Sequence, residues 1–226
     1  MHPLLIVLAV ALLGVALVFR FRYVALRREA HIRQAELPKG LFEKLRARHP
    51  QLSLKDCQLV ANGLRQFFLA HLKSGRKFVA MPSQVVDDLW HEFILCTKNY
   101  DTFCRQGFGR FLHHTPAVVL TDDRLKNAGL RRCWWFACRE ENIDPRAPGR
   151  LPLLFALDAK LNIAGGFSYV PDCGGVRRAG ADSGGSTPYC GSDFGSDGVD
   201  GSTDGFGDGD GGSDGGGCGG GCGGGD

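Results

Sequence analysis

The spacing of apolar positions along this chain divides it into three regions. Residues 3–19 read PLLIVLAVALLGVALVF without a charge, and Phe21, Tyr23, Val24 and Leu26 extend the apolar character between arginines. About 20 apolar residues cross the hydrocarbon of a bilayer, and Arg20 and Arg22 are long enough to snorkel back to its surface. The expectation is one N-terminal transmembrane helix within residues 1–26, then a basic juxtamembrane segment over 27–39. A cleaved signal peptide fits less well, because only His2 precedes the apolar run and Val18-Phe19-Arg20 closes it without small residues.

From residue 40 the spacing becomes that of amphipathic helices. One segment runs over 40–48 and is ended by His49-Pro50. Ser53 with Asp56 three positions on resembles a capping box, and opens a long helix with Leu54, Leu59, Val60, Leu64, Phe67, Phe68 and Leu72 as candidate core and Gly75 as its stop. His71 falls near the C-terminal end of that helix, where a dipole partner or solvent suits it better than a ligand role. After a short extended connection over 77–80, Pro82-Ser83 opens the central helix, which runs to about Thr97. Val85, Val86, Leu89, Phe93 and Cys96 form its apolar face, with Trp90 and Ile94 at the border.

A second short helix over 98–106 turns Tyr100, Phe103 and Cys104 inward and stops at Gly107 and Gly109. A turn through Phe111, Leu112, His113, His114, Thr115 and Pro116 follows. Thr121 or Asp122 then caps a helix to about Glu141 that carries Leu125, Leu130, Trp134, Trp135 and Cys138. Trp134 and Trp135, as neighbours, face about 100° apart, so they cannot share one core centre. Pro152 begins a last apolar turn or two. Alternating and β-branched runs are missing, so the chemistry-bearing part reads as an all-α helical domain over 40–170.

Composition changes sharply at residue 171. Residues 171–226 hold 23 of the 33 glycines, and ten aspartates against two arginines make this tail about −8 in a chain of net charge +3. Its few apolar groups, Tyr189, Phe194, Phe206, Val176 and Val199, offer little to offset the entropy of ordering, so a disordered, acidic Gly/Asp-rich tail is expected. Cys218 and Cys222 could hold a soft metal, but ordering so glycine-rich a loop weighs against it. Arg20, Arg22, Arg27, Arg28 and Arg33 all follow the apolar run. The positive-inside rule then puts the N-terminus outside and the helical domain in the cytoplasm, where all nine cysteines would be reduced thiols.

Candidate chemistry concentrates between residues 81 and 116. Asp87 and His91 are four apart and share a helical stripe, while Asp88 lies three before His91 on its other side. A carboxylate beside an imidazole suits a metal ligand, a general base or a buried hydrogen bond. Leu95 on the same side suggests that something covers His91. If the 111–116 turn folds back, His113 or His114 joins the pair, and Cys104 becomes a possible fourth donor. The expected metal set is Asp87, His91, Cys104, His113 and His114, with zinc or another borderline divalent ion as the cofactor. The spacing is not that of a CxxC pair or an HExxH helix, and no phosphate loop, dinucleotide turn or nucleophile elbow occurs.

The run VDDLWHEFIL, then Tyr100 and Phe103-Cys104, then FGRFLHHTP, resembles the glycine-rich domain-containing protein family, found in bacteria and in plant glycine-rich domain proteins. The resemblance covers roughly residues 41–169 and the glycine-rich end, with Asp87, Trp90 and His91 as its specific element. It implies a focus on Asp87, Trp90, His91, Cys104 and His114 but no activity, and links of plant members to RNA do not transfer. Nothing resembles an RNA-recognition sheet, so no nucleic-acid partner is expected. The leading expectation is a membrane-tethered binding or scaffold module, with the lipid bilayer and a protein partner met through the helical domain or tail. The alternative is a metal-binding domain or metal-dependent enzyme centred on Asp87, His91 and His114.

Overall fold

A computed structural model of the chain describes residues 3–114, 128–172 and 189–195. The apolar run and the basic segment after it form one unbroken helix, α1 (Pro3–Gln34). It is long and apolar enough to cross a bilayer, with mean hydropathy 2.0, and its apolar stretch is unburied. Its last turns behave differently. Ile32 is fully buried in the helical domain, and Glu29 and Arg33 pair with Lys73 and Glu140. The basic segment is thus part of the folded body as well as the continuation of the apolar helix.

The body is mostly helical: α2 (Leu41–Arg48), α3 (Leu54–Lys73), α4 (Gln84–Leu95), α5 (Thr97–Gly107), α6 (Ala128–Glu140) and α7 (Leu153–Lys160). α3 is its axis, packing against α1, α2, α4, α6 and α7. The Ser53/Asp56 capping box forms as expected, each side chain bonding the other's backbone N–H. Gly63 sets how closely α3 and α7 approach, because a Cβ there would stand 2.4 Å from Leu157 Cδ1. Phe67, Phe68, Trp90, Phe93, Tyr100, Phe103 and Phe108 make one aromatic core, with ring centroids 5.0 to 6.0 Å apart in tilted or edge-on pairs.

The same core continues on the other side of α6 as a second aromatic group, around Trp134 and Phe155 at 5.0 Å. Here the structure departs from the reading of the tail. β1 (Tyr169–Val170) and β2 (Tyr189–Cys190) pair in parallel, with Tyr169 opposite Tyr189, and α8 (Gly191–Gly195) follows. Phe194, 1% exposed, fills the space between Trp134, Phe155 and Tyr169. One aromatic residue with a waiting pocket offsets the ordering cost that the surrounding glycines impose. Cys190 is disulfide-bonded, against the expectation of nine reduced thiols, which rested on the arginine-set topology alone; Cys57, Cys96, Cys104, Cys133 and Cys138 are free.

Leu54, expected in the core, is 59% exposed because it occupies the first position of α3 at the rim of a groove. Leu95, whose apolar side chain beside His91 suggested that something covers this side of α4, is itself 67% exposed at the helix end. His71 is buried, not solvated, and meets the Lys77 carbonyl at 3.0 Å. Of the adjacent tryptophans, Trp134 is core and donates from Nε1 to the Pro145 carbonyl, while Trp135 is half-buried beneath the Arg146 guanidinium. The expected start of α6 at Thr121 or Asp122, with Leu125, lies outside the described residues. So do Thr115 and Pro116, the cysteines Cys173, Cys218 and Cys222, and residues 196–226.

Candidate metal centre

The site begins with the first turn of α4, where each amide from Gln84 to Asp87 finds a partner. Ser83, the N-cap, accepts from Val86 N through Oγ, and its carbonyl accepts from Asp87 N. The other two are met from a distant element. Asp158 on α7, 2% exposed, accepts from Gln84 N at 2.7 Å and Val85 N at 3.2 Å, and also from Ser83 Oγ and Phe167 N. This buried carboxylate fixes where α4 starts and therefore where Asp87 points.

The two neighbouring acids of α4 separate by task. Asp88 faces α2 and accepts from Arg48 Nη1 at 2.6 Å, with His49 Nε2 at 2.8 Å and Gln84 Nε2 at 3.3 Å. It ties α2 to α4. Asp87 faces the other way, toward the returning loop. That loop is held by a relay in which Trp90 Nε1 donates to Tyr100 Oη at 3.1 Å, and Tyr100 Oη donates to the Leu112 carbonyl at 2.6 Å. Burial, the largest influence on it, pushes the Tyr100 hydroxyl well above the ordinary tyrosine range, so it stays protonated and donating.

Two residues after Leu112, His114 arrives over α4. Its Nε2 stands 2.9 Å from Asp87 Oδ1, and His91 Nδ1 stands 3.5 Å from Asp87 Oδ2. The two imidazoles lie 4.2 Å apart between centroids, and His114 stacks edge-on to Trp90 at 4.6 Å. One donor atom from each of Asp87, His91 and His114 can be chosen so that all lie within 4.8 Å of one another. Two ligands at about 2.0 to 2.1 Å from a tetrahedral ion sit about 3.3 Å apart, so these separations need little adjustment to hold a metal. The side chains of Asp87 and His114 are 15% and 12% exposed, and that of His91 is 44% exposed, so the group opens to solvent on one side.

Two of the expected donors stay away from this group. Cys104 is buried on the inward stripe of α5, and burial raises its thiol above the ordinary range despite opposing contributions from the Leu112 backbone and Tyr100. A thiol kept protonated in the core is a poor ligand, since the thiolate is what binds metal. His113 points off the other side of the loop, where it meets the Phe111 ring at 4.9 Å and lines a small cavity of about 40 Å³ with His71 and Trp90. The alternation of adjacent loop residues sends one histidine to Asp87 and the other outward.

A family model matches residues 27–194, from the end of the apolar run to the docked Phe194. The chain belongs to the UCP032817-like family. The UCP032817-like match ends at Phe194, the last residue of the core, and it begins where α1 enters the body. The family is uncharacterised, which fits the expected kind of domain, but the match gives no support to the glycine-rich family or to its Asp-x-x-Trp-His element. No curated protein and no solved structure matches the chain.

Proposed function

We propose that this protein is a membrane-anchored helical module that binds one divalent transition metal, zinc first, through Asp87, His91 and His114. The observation behind the reading is the convergence of three donors from α4 and a loop 27 positions away, held by the Trp90–Tyr100–Leu112 relay. One carboxylate and two imidazoles suit zinc and its neighbours, and three protein ligands with a solvent-facing side leave a position for water or a ligand group. The metal would replace the proton shared between His114 Nε2 and Asp87. Binding would release that proton and should therefore weaken as pH falls. The apolar span of α1 supplies the anchor; the arginine rule would place the domain in the cytoplasm, whereas the Cys190 disulfide favours an oxidising compartment.

A second reading is a metal-free docking module for a protein partner. It is favoured by an open groove of about 720 Å³ between the 36–40 turn, α2 and α3, with Leu37, Phe42 and the exposed Leu54 on its walls. In that reading the His114–Asp87 contact is a hydrogen bond that closes the loop. Elemental analysis of the full-length chain in detergent separates the two. The expected result is one zinc per chain, with affinity lower by at least about tenfold in H114A and D87N. If wild type and the H91A/H114A double variant retain the same metal, the site is not a metal centre and the docking reading stands.

A further inference from the structure

Taking α1 as a membrane span, we propose that the turns at residues 74–78 and 108–112 rest on the bilayer surface and that Arg27, Arg28, Arg76 and Arg110 bind anionic lipid phosphates. The argument starts from how α1 enters the body. Ile32 packs beside Gly107, and the Arg28 guanidinium occupies the space where a side chain at Gly109 would stand. Residues nearer the membrane on α1 therefore meet residues further along α5 and its following turn. α3 runs the same way: Arg65 Nη2 donates to the Ala35 carbonyl, and eight residues on Lys73 meets Glu29. The C-terminal ends of α3 and α5 both point toward the span.

The distances suit the headgroup layer. Residues 3–26 rise about 36 Å as a helix, enough for about 30 Å of hydrocarbon and part of one interface. Arg28 is five residues past Tyr23, or about 7.5 Å. The turns beside it are cross-tied, since Arg76 Nη1 donates to the Phe108 carbonyl and Arg110 Nη2 donates to the Arg76 carbonyl. Gly109, at φ 76, permits the tight turn that brings Arg110 across. The carboxylates in this region are already engaged: Glu29 by Arg33 and Lys73, Asp101 by Arg105. Arg27, Arg28, Arg76 and Arg110 meet no carboxylate among the described residues. Phe78 and Phe111, 42% and 40% exposed, lie within or beside the same turns and suit the interface.

The consequence is a domain that sits on the lipid rather than swinging from a flexible tether. Because the 108–112 turn leads directly to His114, lipid contact would also bear on the metal-binding loop. Full-length protein in nanodiscs of phosphatidylcholine, with and without phosphatidylglycerol, tests this by hydrogen exchange at 74–78 and 108–112. Exchange should slow by at least about fivefold with the anionic lipid, from a gain of that order for each basic group near the surface. High salt should remove the difference. The R27Q/R110Q variant should lose it and R27K/R110K should keep it. Equal exchange in both lipids, in protein that resists carbonate extraction, overturns the proposal. Protein that carbonate extracts overturns the membrane span and this proposal with it, while the metal site is unaffected.

Discussion

Replacing Asp158 by alanine tests the claim that a carboxylate on α7 fixes the start of α4. The side chain is 2% exposed and takes four hydrogen bonds, from Ser83 Oγ, Gln84 N, Val85 N and Phe167 N. A hydrogen bond to a charged group contributes about 1.5 to 3 kcal/mol, and each buried donor left unpaired costs about 1 to 3 kcal/mol. Water entering the vacated space would serve some of the three stranded amides, so the net cost is about 4 kcal/mol rather than the full sum. D158N keeps the volume but turns an NH2 group toward two of the donors, and should cost about 2 to 3 kcal/mol. At about 2 to 4 °C for each kcal/mol, D158A should melt about 10 °C lower. Near-ultraviolet dichroism is the suitable signal, since the 32 residues of α1 keep part of the far-ultraviolet signal whether or not the body is folded. D101A, which removes an exposed pair with Arg105, is the control and should stay within about 0.5 kcal/mol. A D158A protein that melts with the D101A control refutes the reasoning.

Two other positions give sharp expectations. Burial, only partly opposed by the Lys77 carbonyl, brings the His71 imidazole down to about 4, so folding holds it neutral. Because the folded value lies below the ordinary 6.5, its contribution is complete above pH 6.5 and lost as pH falls toward 4, with about 2 kcal/mol gone by pH 5. Urea midpoints at pH 7.5 and pH 5 should therefore fall further apart for wild type than for H71Q, and equal differences would sink the idea. Phe194 packs into the core between Trp134, Phe155 and Tyr169, so a chain ending at residue 170 should melt about 8 °C below one ending at 195, and F194A should cost about 3 kcal/mol. Melting within about 2 °C of each other would mean that the 189–195 stretch contributes nothing.

The local grammar of the chain carried most of the helices. Ser53 with Asp56, Pro82-Ser83, Gly75 and Pro152 bound α3, α4 and α7 because caps and breakers act within a few residues, which a sequence displays directly. Contacts made across the fold left weaker traces. Asp158 is a lone carboxylate four past buried Leu154, and only the structure shows that the donors it serves belong to α4 and to Phe167. Phe194 was hidden by its neighbours: averaged over a glycine-rich window it vanishes, yet one ring in a matching pocket outweighs the composition around it.

The proposed metal centre shows the same division at closer range. Asp87 and His91 could be paired from spacing alone, because i and i+4 must share a stripe on any helix. The third donor depended on a loop path that no period encodes. That path is set by Tyr100, whose hydroxyl accepts from Trp90 Nε1 and donates to the Leu112 carbonyl. Tyr100, Phe103, Cys104 and Gly107 follow the 3.6 period of one inward stripe on α5. A residue on that stripe faces the aromatic core by construction, so Cys104 could not also reach a solvent-facing ligand set. The periodicity that placed Tyr100 to steer His114 into the site is what kept Cys104 out of it.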